Sequence, residues 1–344
     1  MNPFSKPSIS VREQVNLLQN RGLNIQDTER AERYLEVISF FRLSAYMRPF
    51  QHAHDDQHTF KDNAEFREIV ALYAFDRELR LIIMDAVERV EVGIRSMINN
   101  VMGTTYQTKQ EPYSGSHWYL NRQRFNNHYN HQRLLDTLGY KQEQEKRSLR
   151  QEFEKIDKAQ LDDDKKKMLK NLKQRENYCR YYANNYSVPE LPPCWAAIEE
   201  LTLGELSHLY KGLKRDADRK AIARRFNVPQ DKLGSWLHTL TFIRNCCAHH
   251  ARLWNRELPI APKLMRDPEW RFPAILPNTQ IQPAKRLFSV VLLLTYLMKQ
   301  VSPESKWVNS LLALFTKYPN VPLKNMGFPE DWQQHPFLQE VIGL

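Results

Sequence analysis

Residues 63–101 read NAEFREIVALYAFDRELRLIIMDAVERVEVGIRSMINNV. Phe66, Ile69, Val70, Tyr73, Leu79, Leu81, Ile82, Met84, Ala86, Val87, Val90, Ile94, Met97 and Ile98 supply apolar positions on both sides of a helical stripe. Gly93 is the exception in a run otherwise short of helix breakers. At ~1.5 Å per residue such a helix crosses a whole domain. Its apolar residues lie on both sides of one stripe, so other helices are expected to pack on it and the fold class is all-α. The run also carries Asp76, Arg77, Arg80, Asp85, Glu88, Arg89, Glu91 and Arg95. Glu88, Glu91 and Arg95 share a face. They form a solvated charge ladder, or one acid turns inward to orient a functional cation. For that second role Glu91 or Glu88 is the choice, with Arg95 beside it.

Outward from this stretch the chain reads as more helices. Ser8 or Ser10 can cap an amphipathic helix that Arg21-Gly22 stops. A second is expected from about Thr28 to Phe41, with Ala31, Tyr34, Leu35, Ile38 and Phe41 on one face. Arg42 and Arg48 then read as cations snorkelling at the edge of an aromatic cluster, with phosphate contact as the competing reading. His52, His54 and His58 lack a fixed metal-ligand spacing and read as exposed loop. Residues 103–130 are rich in aromatics with Arg122 and Arg124 interleaved, which suits either stacking of single-stranded bases or sealing of a core edge.

Residues 141–180 mix charges of both signs and read as two helices joined near 160–164, an exposed arm. Lys165-Lys166-Lys167 is read as solvation ahead of RNA contact. Pro189, Pro192 and Pro193 mark an extended connector, and Gly204 is expected to break the helix between Trp195 and Gly212. The apolar run Leu287 to Met298 is too short to span a bilayer and reads as a buried helix. The expected layout is an N-terminal helical region (1–62), a helical core (63–140 and 181–300), a charged helical insertion (141–180) and a C-terminal extension (301–344).

Bulk composition narrows the partners. The formal charge is +10 and the isoelectric point near 9.3, which favours polyanions such as nucleic acid or an anionic surface. Only 10 glycines argue against a Gly-rich phosphate loop. Cys179, Cys194, Cys246 and Cys247 are too few for a disulfide scaffold, so the chain reads as reduced. The segment Met1 to Pro7 has no apolar signal core. The expected location is cytoplasmic, with no membrane partner.

The chemistry is concentrated in residues 243–256, IRNCCAHHARLWNR. They come directly after the stripe Leu233, Trp236, Leu237, Leu240 and Ile243. Arg244 then falls at the border of the buried face, where a guanidinium needs a carboxylate or a phosphate. A histidine titrating near neutrality can take a proton from a ribose 2′-hydroxyl or give one to a leaving 5′-oxygen. An arginine can hold the non-bridging oxygens, and an asparagine can orient either group. Five residues separate Arg244 from His249, a rotation ~140° off alignment on a straight helix. Either the helix loosens after Cys247, or two copies share one site. Zinc on Cys246, Cys247, His249 and His250 is disfavoured because adjacent pairs chelate poorly. The cysteines read as packing residues rather than nucleophiles.

Arg244-Asn245-Cys246-Cys247-Ala248-His249 matches the R-x4-H motif, in its R-N-x-x-x-H form, of HEPN ribonucleases. The wider phrase from Ile243 to Arg256 resembles the Abi-like (abortive infection) branch of that superfamily. Further segments agree in order: Lys6-Pro7 with Gln14 and Arg21-Gly22; Phe41 to Tyr46; Tyr73 with Asp76 to Arg80; Glu88 to Arg95; and Pro193, Trp195, Glu199 with Leu203 to Ser207. The resemblance covers roughly residues 5–105 and 185–262, and the segment 141–180 is longer than the family's usual connector.

It implies an all-α, HEPN-like helical bundle and a metal-independent endoribonuclease that needs no cofactor. Arg244, Asn245 and His249 would be catalytic, with His250, Arg252, Asn255, Arg256, Glu91 and Arg95 in RNA-binding or supporting roles. The implied partners are RNA, a second copy completing a composite site in a homodimer, and an antitoxin or a regulatory RNA as restraint. The implied biology is a toxin or an antiphage effector. The alternative is a non-catalytic HEPN protein that binds a structured non-coding RNA. A helical interaction protein with a structural histidine is a third reading.

Overall fold

The computed structural model describes residues 7–111 and 113–342. Met1 to Lys6 lie outside them, so most of the segment read for a signal core, and Lys6 of the resemblance, are not described. The described residues form fourteen α-helices and no sheet. They are α1 (Val11–Asn20), α2 (Thr28–Ile38), α3 (Phe40–Met47), α4 (Phe66–Tyr106), α5 (His131–Lys158), α6 (Asp163–Arg175), α7 (Tyr178–Asn185), α8 (Cys194–Ala197), α9 (Leu203–Gly212), α10 (Asp216–Arg224), α11 (Gln230–Ala248), α12 (Leu287–Val301), α13 (Trp307–Lys317) and α14 (Pro336–Ile342). No helix among these residues is long and apolar enough to cross a membrane.

The organising element is α4, 41 residues long and five residues past its expected end. Ile69, Phe75, Leu79, Ile83, Val87, Val90, Ile94 and Ile98 are wholly buried along it. Helices α3, α10, α11, α12 and α13 pack around this stripe. Burying each large apolar side chain stabilises the fold by roughly 1.5–3 kcal/mol, which is why a two-sided stripe gathers so many neighbours. Leu287 to Leu294 of α12 are buried without a break, as the apolar run requires. Gly93 marks the close approach: a Cβ there would sit 3.0 Å from Val301 Cγ1. Trp307 Nε1 donates to the Ile82 carbonyl at 2.6 Å and pins α13 to α4.

Three local expectations are corrected. The helix from Thr28 does not reach Phe41. Ser39 has φ +72° and caps α3, accepting the Arg42 N–H at 3.3 Å. Phe41 therefore lies in the first turn of a new helix and is 88% exposed. Gly204 does not break a helix. It lies in the first turn of α9, where Thr202 and Glu205 cap each other reciprocally. The charged arm does not begin at Lys141, because α5 starts at His131 and buries His131, Leu134 and Leu138 first. Past those residues α5, α6 and α7 pack together. Arg180 ties α7 to α5, donating to Glu145 at 2.5 Å, Glu152 at 3.1 Å and Ser148 at 3.2 Å. Lys165 pairs with Asp162 at 3.1 Å and Lys166 donates to the Asp157 carbonyl at 3.0 Å, so these two are held within the arm.

Candidate functional site at the end of α11

Leu233, Trp236, Leu237, Leu240 and Ile243 are wholly buried and fix the rotation of α11. The helix does not loosen after Cys247. The His249 N–H still reaches the Asn245 carbonyl at 3.0 Å, in regular i to i−4 register. The helix ends at Ala248 with His249 as its cap, and His250, with a left-handed φ of +55°, turns the chain away. The N–H groups of His250 and Ala251 then close on Cys247 and Cys246 carbonyls at 3.1 and 2.9 Å.

Beyond this turn the chain is held by one carboxylate. Asp76 of α4 is wholly buried and accepts from the Leu253 N–H at 3.1 and 3.2 Å and the Trp254 N–H at 2.6 Å. It also accepts from Tyr46 of α3 at 2.5 Å and from Arg80 one turn along α4. Arg80 donates a second bond to the Tyr46 oxygen at 3.3 Å. Burial, with the Asp76 charge beside it, raises the Tyr46 phenol well above its usual range. Three elements thus converge on one ion, and the motif turn is fastened to the longest helix.

That acid is not the one expected. Glu91 and Arg95 pair with each other, and Arg95 also donates to the Ile198 carbonyl at 2.6 Å. They sit more than ~20 Å along α4 from Asp76 at the helical rise, where they brace residues 198–199 rather than the motif. Glu88 is exposed. Asp76 stands four before Arg80, an ion-pair spacing that Glu91 and Arg95 share, so spacing alone did not single it out.

The predicted site residues fall into two groups. Arg244 is half-buried, while Asn245 and His249 are exposed. Their side chains make no hydrogen bond or ion pair with any described residue, and Arg244 Nε is buried without a partner. The supporting residues are engaged. Arg252 donates to the Ala45 carbonyl at 3.2 Å, Arg256 to the Arg252 carbonyl at 2.6 Å, and Asn255 accepts from Arg286 at 3.2 Å. His250 offers its carbonyl to Arg42 at 2.6 Å, and its imidazole is free.

Other chemistries find less here. Cys246 and Cys247 are buried, and burial pushes their thiols up, that of Cys247 to about 12. They face the core while His249 and His250 face outward, so the four do not converge. Among the described residues no group of three or more His, Cys, Asp or Glu is placed to hold a metal ion. At His52, His54 and His58 the loop is shaped by Asp55, which accepts from Gln57 and Thr59 N–H groups at 2.9 and 2.7 Å. In residues 103–130 Trp118, Tyr119 and Phe125 are buried, and Phe125 stacks on Trp118 and Tyr129, so these rings seal a core edge.

A family model described as Abi-like protein matches residues 33–255, more than half of the chain. The chain belongs to the Abi-like family. The match runs from within α2 to Asn255, so it takes in Tyr46, Asp76, Arg80 and the whole end of α11. The helices α12 to α14 of this Abi-like protein lie outside it. No curated protein and no solved structure matches the chain.

Proposed function

We propose that this Abi-like chain is a metal-independent endoribonuclease of the HEPN type, acting as a toxin or antiphage effector in abortive infection. One observation carries the reading. Arg244, Asn245 and His249 lie at the end of a helix with no side-chain partner among the described residues, beside a turn whose backbone is fastened by Asp76. A guanidinium with no partner in the fold keeps its whole fork for an anion such as a phosphate.

RNA supplies the matching chemistry. His249 takes the proton of a ribose 2′-hydroxyl as that oxygen bonds to phosphorus. The bond from phosphorus to the 5′-oxygen breaks, and the leaving oxygen takes a proton. The product ends are a 2′,3′-cyclic phosphate and a 5′-hydroxyl. Arg244 holds the non-bridging oxygens as charge grows on them, and Asn245 supports the same phosphate. Because α11 stays regular to its end, one copy aims Arg244 and His249 ~140° apart. Two facing copies would bring Arg244 of one to His249 of the other, so the active species is a homodimer. A nuclease of cellular RNA needs restraint, by an antitoxin-like protein or a structured non-coding RNA.

The test is purified full-length protein with end-labelled RNA in EDTA. Cleavage leaving cyclic-phosphate ends, lost in both Arg244→Ala and His249→Ala, supports the proposal. Equal cleavage in wild type and both variants overturns the site. Tight binding by the wild type without cleavage returns the protein to the RNA-binding reading.

A further inference from the structure

Beyond the motif, four arginines gather around the turn that carries His249. Arg42 of α3 holds the His250 carbonyl at 2.6 Å, and Arg252 holds the Ala45 carbonyl at 3.2 Å, so α3 and the motif turn bind each other reciprocally. Arg256 donates to the Arg252 carbonyl and lies 6.0 Å from the Phe242 ring centroid. Phe242, Asn245 and His249 are spaced i, i+3 and i+7, so Arg256 sits on the face of α11 that leads to His249. Arg48 comes directly after α3 and is exposed, with no side-chain partner among the described residues.

None of these four pairs with a carboxylate among the described residues. The carboxylate nearest in the network, Asp76, is paired with Arg80 and saturated by Tyr46 and two backbone N–H groups. Each bonded guanidinium spends one N–H on a carbonyl and keeps the rest of its fork. Burial, then the neighbouring Arg256 and Arg48, makes the Arg252 guanidinium a poorer proton holder than usual. Like charges crowded in a half-buried setting are stabilised by an anion, and a guanidinium fork fits phosphate oxygens two at a time.

We infer that Arg42, Arg48, Arg252 and Arg256 form a phosphate-binding track for single-stranded RNA that leads to His249 from within the same chain. The inference rests on RNA being the ligand of this surface and adds the N-terminal helical region to its binding site. It assigns the track to holding the backbone on either side of the reacting phosphate, and leaves proton transfer to His249.

The experiment measures RNA binding by the full-length His249→Ala protein over a salt series, with Arg42→Ala and Arg48→Ala added singly and together. Each lost phosphate contact should flatten the slope of log affinity against log salt by ~0.7 for a single strand. Arg48→Ala removes no contact within the fold, so its effect is free of structural loss. Arg67→Ala, whose guanidinium pairs with Glu65 far from the motif turn in sequence, is the control and should leave the slope unchanged. In the cleaving protein Arg48→Ala should raise KM and leave kcat within about twofold. A slope and affinity equal to the parent's in Arg48→Ala and the double variant overturn the track, as does a parent that binds no RNA. A mononucleotide competing as well as an oligonucleotide would reduce it to a single phosphate site and overturn the track. Failure of the nuclease reading is seen separately, as absent cleavage with the slope still falling.

Discussion

Asp76 and Arg244 stand on packed helices and are treated in opposite ways by the fold. Asp76 is wholly buried, and every lone pair it turns inward meets a donor: two backbone N–H groups, a phenol and a guanidinium. Arg244 is half-buried and meets nothing, to the point of leaving Nε orphaned. A buried ion without partners is costly, so saturation at Asp76 is what stability demands. Arg244 Nε has no such partner, and the exposed side chains of Asn245 and His249 are left to solvent; on the proposed reading these three groups are the ones that meet the RNA. The same turn therefore holds a locked half, which places the site, and an open half, which is available to a substrate.

The largest effects should separate the two halves cleanly. His249→Ala should lower RNA cleavage by about 10²–10⁴-fold, and Arg244→Ala by about 10²–10³-fold. Both side chains lack partners in the fold, so thermal melts should shift little, within about 0.5 kcal/mol. A large loss of stability in either variant would break the comparison, since it would make the open half structural. Asp76→Ala should act the other way. It leaves Arg80 buried and unpaired and strips two backbone N–H groups of their acceptor, and loss of one member of a buried pair costs about 3–5 kcal/mol. Denaturant unfolding measures it, and a change under about 1 kcal/mol would mean that the turn is fastened elsewhere. Tyr46→Phe is the finer probe. It removes one bond to the carboxylate and one acceptor for Arg80, and should cost about 1.5–3 kcal/mol by the same unfolding experiment.

The locked half was the harder to read in the sequence, and the reason is physical. Periodicity reports which residues are apolar, so the α4 stripe, the buried α12 and the rotation of α11 were all legible. It does not report which polar residue at the edge of a stripe will turn inward. Asp76, Glu88 and Glu91 are alike in composition and spacing, and the choice between them depends on where residues 253–254 return, a contact 177 positions away in the chain. The break at Ser39 hid for a related reason. The face Ala31, Tyr34, Leu35, Ile38 continues on paper to Phe41, and one left-handed residue is enough to move that ring into solvent. The place of Arg244 at the edge of the apolar stripe was legible, and the structure leaves it half-buried there without a carboxylate. The misalignment of Arg244 and His249 on a regular helix was also readable from spacing alone.

The smallest effect concerns the two cysteines between the halves. Cys246 and Cys247 come directly after Asn245, yet they face the core and belong to the locked side. Burial raises the Cys247 thiol to about 12, so at pH 8 its thiolate is on the order of one part in ten thousand. Cys179 and Cys194 are raised to about 11 for the same reason. Alkylation of the folded protein with iodoacetamide at pH 8 should therefore be negligible over a period in which the unfolded chain reacts fully. The folded chain keeps protons that the unfolded chain releases, so stability from these thiols is whole below about pH 9 and is lost as pH climbs toward about 12. Unfolding measured from pH 8 to pH 11 should show that decline, and a protein more stable at pH 11 than at pH 8 would contradict it. Rapid labelling of Cys247 in the folded state would be the more telling failure. It would mean that the end of α11 opens on its own, and then His249 would not be held for catalysis by the Asp76 anchor at all.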